Sequence, residues 1–168
     1  MTAGAVRAVG AVTMYTDGAC RGNPGPGGYG VVLLGAWDGQ DRREEFCGGF
    51  RRTTNNRMEL VAAIKGLESL KRACAVDAYS DSTYLVNGFS KGWARRWEKK
   101  GWVAKGGKRR LNADLWERLL RCSERHKITF TWIKGHNGDP ENERCEQLAQ
   151  ASARRLGLVP DPGYSSAA

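Results

Sequence analysis

Hydrophobic and polar positions alternate from Val12 to Asp17 with the two-residue period of a half-buried strand. The alternation stops at Asp17-Gly18, where a stretch of turn formers opens, Gly22-Asn23-Pro24-Gly25-Pro26-Gly27-Gly28. Tyr29 to Leu34 reads as a second strand and about Glu44 to Arg52 as a third, with Gly48-Gly49 marking a bulge or close packing. Together they predict a three-stranded antiparallel meander. The period then changes. Met58, Val61, Ile64 and Leu67, widened by Leu60, Ala63 and Leu70, predict a helix over Met58 to Leu70, and Asn56 with Glu59 three residues on resembles its capping box. Further elements follow: a strand at Val76 to Asp81, a short helix at Ser82 to Phe89, a longer one at Leu111 to Cys122, a last strand at Ile128 to Ile133, and a helix from Pro140 to Leu156. Pro140 suits a first turn. Strands first, then alternating helices and strands, predict an α/β fold in which helices cover a mixed sheet.

At 168 residues the chain holds one domain with a real core. We expect that domain over 12–158, flanked by a flexible N-terminal segment, 1–11, and a tail, 159–168. No apolar run approaches the roughly 18–20 residues of a membrane span, which excludes a membrane partner, and the N-terminal stretch lacks the apolar core of a secretion signal. Five scattered cysteines, Cys20, Cys47, Cys74, Cys122 and Cys145, form no C-x-x-C pair, so reduced thiols and a cytoplasmic setting are expected. Charge changes the picture more. The net charge is +9, and Ser90 to Arg110 holds nine lysines and arginines against one glutamate. Such a segment attracts phosphate polyanions by releasing their counterions. Trp93, Trp97 and Trp102 lie among these cations. A solvated basic helix pinned by its tryptophans is the plainer reading, and it is compatible with nucleic-acid binding.

Three acids sit at element ends: Asp17 closes the first strand, Glu59 opens the first helix, and Asp81 closes the fourth strand. Singly, each reads as a turn or capping residue. If the first and fourth strands are adjacent and parallel, the three converge, and carboxylates so close imply bound cations. Hard oxygen ligands point to Mg²⁺ or Mn²⁺ rather than zinc. His136, in the Gly135-His136-Asn137-Gly138 loop before the helix carrying Glu143 and Glu146, is a candidate proton-transfer group, whereas His126 reads as a surface residue. The G-x-G-x-x-G at Gly25, Gly27 and Gly30 runs into a strand, which removes it as a dinucleotide or P-loop site.

With YTDGACRGNPGPGGYG at 15–30, TTNNRMEL at 53–60, YSDS at 79–82 and WIKGHNGDPENERCEQLA at 132–149, the chain resembles bacterial type 1 ribonuclease H from about Val12 to Tyr164. The resemblance implies a five-stranded mixed sheet of order 3-2-1-4-5 with helices on both faces, and endonucleolytic hydrolysis of RNA paired to DNA that leaves 3′-hydroxyl and 5′-phosphate ends. It implies that Asp17, Glu59, Asp81 and Glu146 bind two Mg²⁺ ions, with Mn²⁺ a substitute, and that His136 assists proton movement or product release. Asn23, Asn55 and Asn56, with Cys20 nearby, would read 2′-hydroxyls in the minor groove; Thr54, Arg57 and Asn112 would hold a DNA phosphate. Trp93, Trp97, Trp102, Lys99, Lys100 and Lys105 would track the DNA strand. A monomer is implied, with roles in removing RNA primers and R-loops and recruitment by a single-stranded DNA-binding protein. Two positions depart from the family: Glu146 stands where Asp is usual, and Thr83 where a hybrid-contacting Gln is common. An integrase or resolvase core and a non-catalytic hybrid-binding module are the alternatives; the asparagines disfavour the first and the intact acids the second.

Overall fold

Backbone pairing runs further than side-chain alternation predicts. β1 covers Ala11–Cys20, β2 Gly25–Trp37 and β3 Gln40–Thr53 in the computed structural model, which describes residues 10–37 and 39–164. Most of the segment expected to be flexible, 1–11, therefore lies outside the described residues. The turn-forming stretch is partly ladder, with Cys20 opposite Gly27 and Gly25 opposite Thr53. The one irregularity between β2 and β3 falls between Gly25 and Gly27. Pro26 stands there, and its ring has no N–H to give to a ladder. Gly48 and Gly49 pair in register with Tyr29 and Gly28, so they mark close packing and not a bulge.

α1 spans Asn55–Ser69, and its N-cap is Thr54, whose Oγ1 accepts the N–H of Arg57 at 3.3 Å. The capping box expected at Asn56 and Glu59 is therefore absent: Thr54 keeps the extended backbone of β3, and Asn56 already lies in the first turn. The chain continues through β4 (Ala75–Ser80), α2 (Thr83–Ser90, capped by Ser82), α3 (Trp93–Lys99) and α4 (Ala113–Arg125). It closes with β5 (Lys127–Trp132) and α5 (Pro140–Ala153), where the Asp139 carboxylate accepts the N–H groups of Glu141 and Asn142 ahead of Pro140.

The sheet has the order β3-β2-β1-β4-β5, antiparallel within the meander and parallel from β1 through β4 to β5. Successive residues of β2 show the two covered faces. At Gly30 an added Cβ would lie 2.3 Å from the Cys145 carbonyl oxygen of α5, while next door Val31 meets Gly66 of α1. On the α1 side Met14, Val31, Leu33, Ile64, Leu67, Trp116 and Leu119 are buried, each such apolar side chain contributing about 1.5–3 kcal/mol. Among the described residues no helix is long and apolar enough to cross a membrane.

His126 is buried, not a surface residue: its Nδ1 accepts the N–H of Cys74 at 3.1 Å, and burial holds its pKa below the ordinary histidine value. The tail expected at 159–168 is docked over its described part, as far as Tyr164. Val159 bridges to Phe50 and accepts the N–H of Arg51 at 2.8 Å, and Asp161 is buried.

Candidate active site

Because β1 and β4 are parallel neighbours paired as far as Tyr15 and Tyr79, Asp17, inside β1, and Asp81, just past the end of β4, emerge side by side. Glu59 joins them from the first turns of α1. It can do so because Gly18 lets the helix start press on the strand: a Cβ there would lie 2.5 Å from the Glu59 nitrogen. One carboxylate oxygen from each of Asp17, Glu59 and Asp81 lies within 4.8 Å of the others. Burial, and then the nearby Asp81 charge, push Asp17 up to about 7. Glu59 is pushed well above its ordinary value by burial and by the charges of Asp17 and Asp81. Its Oε2 is buried with no hydrogen-bond partner among the described residues. Clustered, repelling carboxylates with an orphaned oxygen suit a hard divalent cation, which would satisfy that oxygen and cancel the repulsion.

These acids line an open cleft of about 530 Å³ together with Cys20, Asn55, Asn56, Thr83, His136 and Glu146. Glu146 stands outside the tight set of three. Its Oε2 lies 3.3 Å from His136 Nδ1, and its Oε1 accepts from Gln150 Nε2 at 3.0 Å. His136 is 79% exposed on a left-handed turn, φ 57°, and its acidic contact among the described residues is Glu146. Gln150 and Tyr84 also line the cleft and are absent from the sequence reading. Gln150 was findable, one helical turn beyond Glu146 on the same face.

On the other wall, Asn23 Oδ1 accepts the N–H of Asn55 at 3.0 Å, tying the loop after β1 to the start of α1. The Cys20 thiol faces the Thr53 and Gly25 carbonyls, and burial pushes its pKa up. Thr54 is partly exposed but spends its hydroxyl on the cap. Arg57 is not available to a phosphate. It is 2% exposed, and its guanidinium is held by Asp161, Asp114, Asn112 and the Pro162 carbonyl. Asn112 is buried too, its amide bound between Arg57 and Tyr84 Oη.

The basic segment divides similarly. Trp102 is only 7% exposed, in the core, and Trp97 packs edge-on against Trp116 with Arg110 over its other side, 4.5 Å from the ring centroid. Trp102 is thus spent on the core, and the Trp97 ring is covered by Trp116 of α4 and by Arg110. Trp93 is half-buried beneath Lys91, and Lys99, Lys100 and Lys105 are exposed.

A mixed sheet of this order, with a three-carboxylate cluster beside the end of its fourth strand and a separate basic segment, defines a metal-dependent nuclease of the ribonuclease H-like fold. The sequence profile described as RNase H matches residues 10–154, and the chain belongs to that family. It is 59% identical to ribonuclease H of Syntrophus aciditrophicus over 153 residues, 91% of this chain and 86% of that protein. It is 57% identical to ribonuclease H of Desulforamulus reducens, covering 89% and 92%. Among solved structures, LC9-RNase H1, described as a type 1 RNase H with the type 2 active-site motif, superposes with a TM-score of 0.76 at 31% identity over 86% of this chain and 72% of that one. LC11-RNase H1, solved in complex with an RNA/DNA hybrid, does so at 0.64 and 25% identity over 84% and 96%.

Proposed function

We propose that the protein cuts the RNA strand of RNA–DNA hybrids at the Asp17–Glu59–Asp81 cluster, leaving 3′-hydroxyl and 5′-phosphate ends, with Mg²⁺ as the ion and Mn²⁺ as a substitute. One observation carries the reading: three carboxylates within 4.8 Å of one another, one with an orphaned buried oxygen, in the cleft between the start of α1 and the His136 loop. Asp17, Glu59 and Asp81, with Glu146 at the margin, would hold two divalent ions, which would supply water activation and charge neutralisation at the scissile phosphate.

The chain's own groups do the rest. Asn55 and Asn56, exposed on the first turn of α1, present amides to the 2′-hydroxyl side of the hybrid, the feature that separates RNA from DNA. Asn23 braces Asn55 through the backbone. His136, held at 3.3 Å by Glu146 and otherwise in solvent, carries a proton between the cleft and bulk water. Trp93 and the exposed cations of the basic protrusion, residues 90–110, follow the DNA strand. By family resemblance the enzyme acts as a monomer in the cytoplasm, with a single-stranded DNA-binding protein as recruiter.

Matched RNA–DNA, double-stranded RNA and double-stranded DNA, each with and without Mg²⁺, test the reading. Cleavage of the RNA in the hybrid alone, and only with the ion, is expected. Cutting of duplex DNA would favour an integrase- or resolvase-like core, and binding without cutting a non-catalytic module.

A further inference from the structure

Arg57 sits two residues before Glu59 yet faces away from the cleft, into the docked segment 159–164. Its five N–H groups meet a full set of acceptors. Nε donates to Asp161 Oδ2 at 2.7 Å, Nη1 to Asp114 Oδ1 at 2.9 Å and Asn112 Oδ1 at 3.4 Å, and Nη2 to Asp114 Oδ2 at 2.8 Å and the Pro162 carbonyl at 3.0 Å. Asp161 is also gripped by Thr53 Oγ1 at 2.6 Å, from the residue before the cap of α1. Asn112 continues the chain of contacts to Tyr84 Oη at 3.1 Å, and Tyr84 lines the cleft beside Thr83.

The two walls of the cleft are thus joined behind it. One is the start of α1 with Asn55 and Asn56; the other is Tyr84 and Thr83 at the start of α2. We propose that the segment Val159–Tyr164 is a strap that sets the spacing of these walls through Asp161, with Arg57 the positioning residue at its hub. Asp161 matters more than Asp114, since its side chain is 2% exposed against 38%. A buried carboxylate holds a guanidinium in one place, whereas a solvated one shares it with water. Among the described residues the strap's bonds go to Phe50, Arg51, Thr53 and Arg57 and to none of the clustered acids, so it governs how well a hybrid seats, not the hydrolytic step.

The inference rests on the hybrid-cutting reading, and its test has one readout independent of it. Steady-state constants on an RNA–DNA hybrid and amide hydrogen exchange of the unliganded protein are measured for the unmutated enzyme, Asp161→Asn, Asp161→Glu and Thr53→Val, well below each melting temperature. Asp161→Asn is expected to raise KM about tenfold while kcat stays within about twofold, with Asp161→Glu recovering part of the loss. Thr53→Val removes one hydrogen bond without leaving a charge unpaired, and an increase in KM of about threefold is expected of it even if Asp161→Asn fails to fold. Exchange should quicken over Asn55–Met58 and not in the later turns of α1. Unchanged KM and unchanged exchange in the folded variants overturn the strap, and so does a fall in kcat with KM constant. If the unmutated enzyme cuts no hybrid, the functional reading fails, and the exchange pattern still decides the strap.

Discussion

Arg57 and Glu59 lie two residues apart at the start of α1, and both are buried charges. Arg57 has every N–H engaged by acceptors, two of them carboxylates. Glu59 has like charges for neighbours and an oxygen with no partner. A saturated buried charge is a structural joint, and breaking it costs stability; an unsaturated one is held ready for something the protein does not itself supply. The contrast assigns opposite roles to two charged residues of one motif.

The largest way to break it is Arg57→Ala, which leaves Asp161 buried without its countercharge and should cost about 3–5 kcal/mol in denaturant unfolding. A loss below about 1 kcal/mol would show the network to be no joint. Next is Glu146→Gln, expected to slow Mg²⁺-dependent cleavage roughly tenfold while the exposed Glu143→Gln changes it little, because Glu146 borders the cluster and holds His136. Equal rates in both variants across Mg²⁺ and Mn²⁺ titrations would remove Glu146 from the site. Unpaired cations should behave as unpaired anions do, by waiting for a partner: replacing Lys99, Lys100 and Lys105 with Ala should lower the salt slope of hybrid binding by about 2–3. The protrusion is not the phosphate-tracking element if that slope is unchanged.

The smallest effect concerns His126. Its folded pKa is depressed by burial, so the unfolded chain takes up a proton first as pH falls. Its stabilising contribution is complete above the unfolded value and is lost as pH drops toward the folded one. His126→Asn should therefore flatten the acid side of the stability profile below about pH 6.5. A profile of unchanged slope would place the acid sensitivity elsewhere.

The three acids were legible in the sequence because Asp17 precedes the turn formers, Glu59 lies early in α1 and Asp81 follows β4. Asp17 proved to lie inside β1, which runs on to Cys20, yet parallel pairing of β1 with β4 still brings it beside Asp81, and Gly18 admits Glu59. The sheet order came with the family resemblance, and the strands proved longer because backbone pairing does not need side-chain alternation, as Gly25 to Gly30 shows. Arg57 was misread because its partner Asp161 lies 104 positions away, past the last helix, where no periodicity points. Trp97 and Trp102 were misread for a related reason. Composition says that a segment is basic and aromatic, but which tryptophans face inward depends on Trp116, an element away. His126 looked like a surface residue beside Arg125 and Lys127, and its burial follows from the bond to Cys74 across the sheet end.

The central claim is that the Asp17–Glu59–Asp81 cluster is unsatisfied until a divalent cation arrives. Asp17 has a folded pKa near 7 against an ordinary 3.8, so its ionisation opposes folding: the stability it contributes is complete below about 3.8 and is lost as pH rises through 7. Melting temperature measured at pH 5 and pH 8, with and without Mg²⁺, for the unmutated protein and Asp17→Asn, tests this alongside hybrid cleavage. The account predicts that Mg²⁺ raises the melting temperature of the unmutated protein more at pH 8 than at pH 5. It also predicts that Asp17→Asn melts higher without the ion, gains little from it, and cleaves at least about 100-fold more slowly. An Asp17→Asn protein that melts lower than the unmutated one at pH 8 and still cleaves with Mg²⁺ would contradict it.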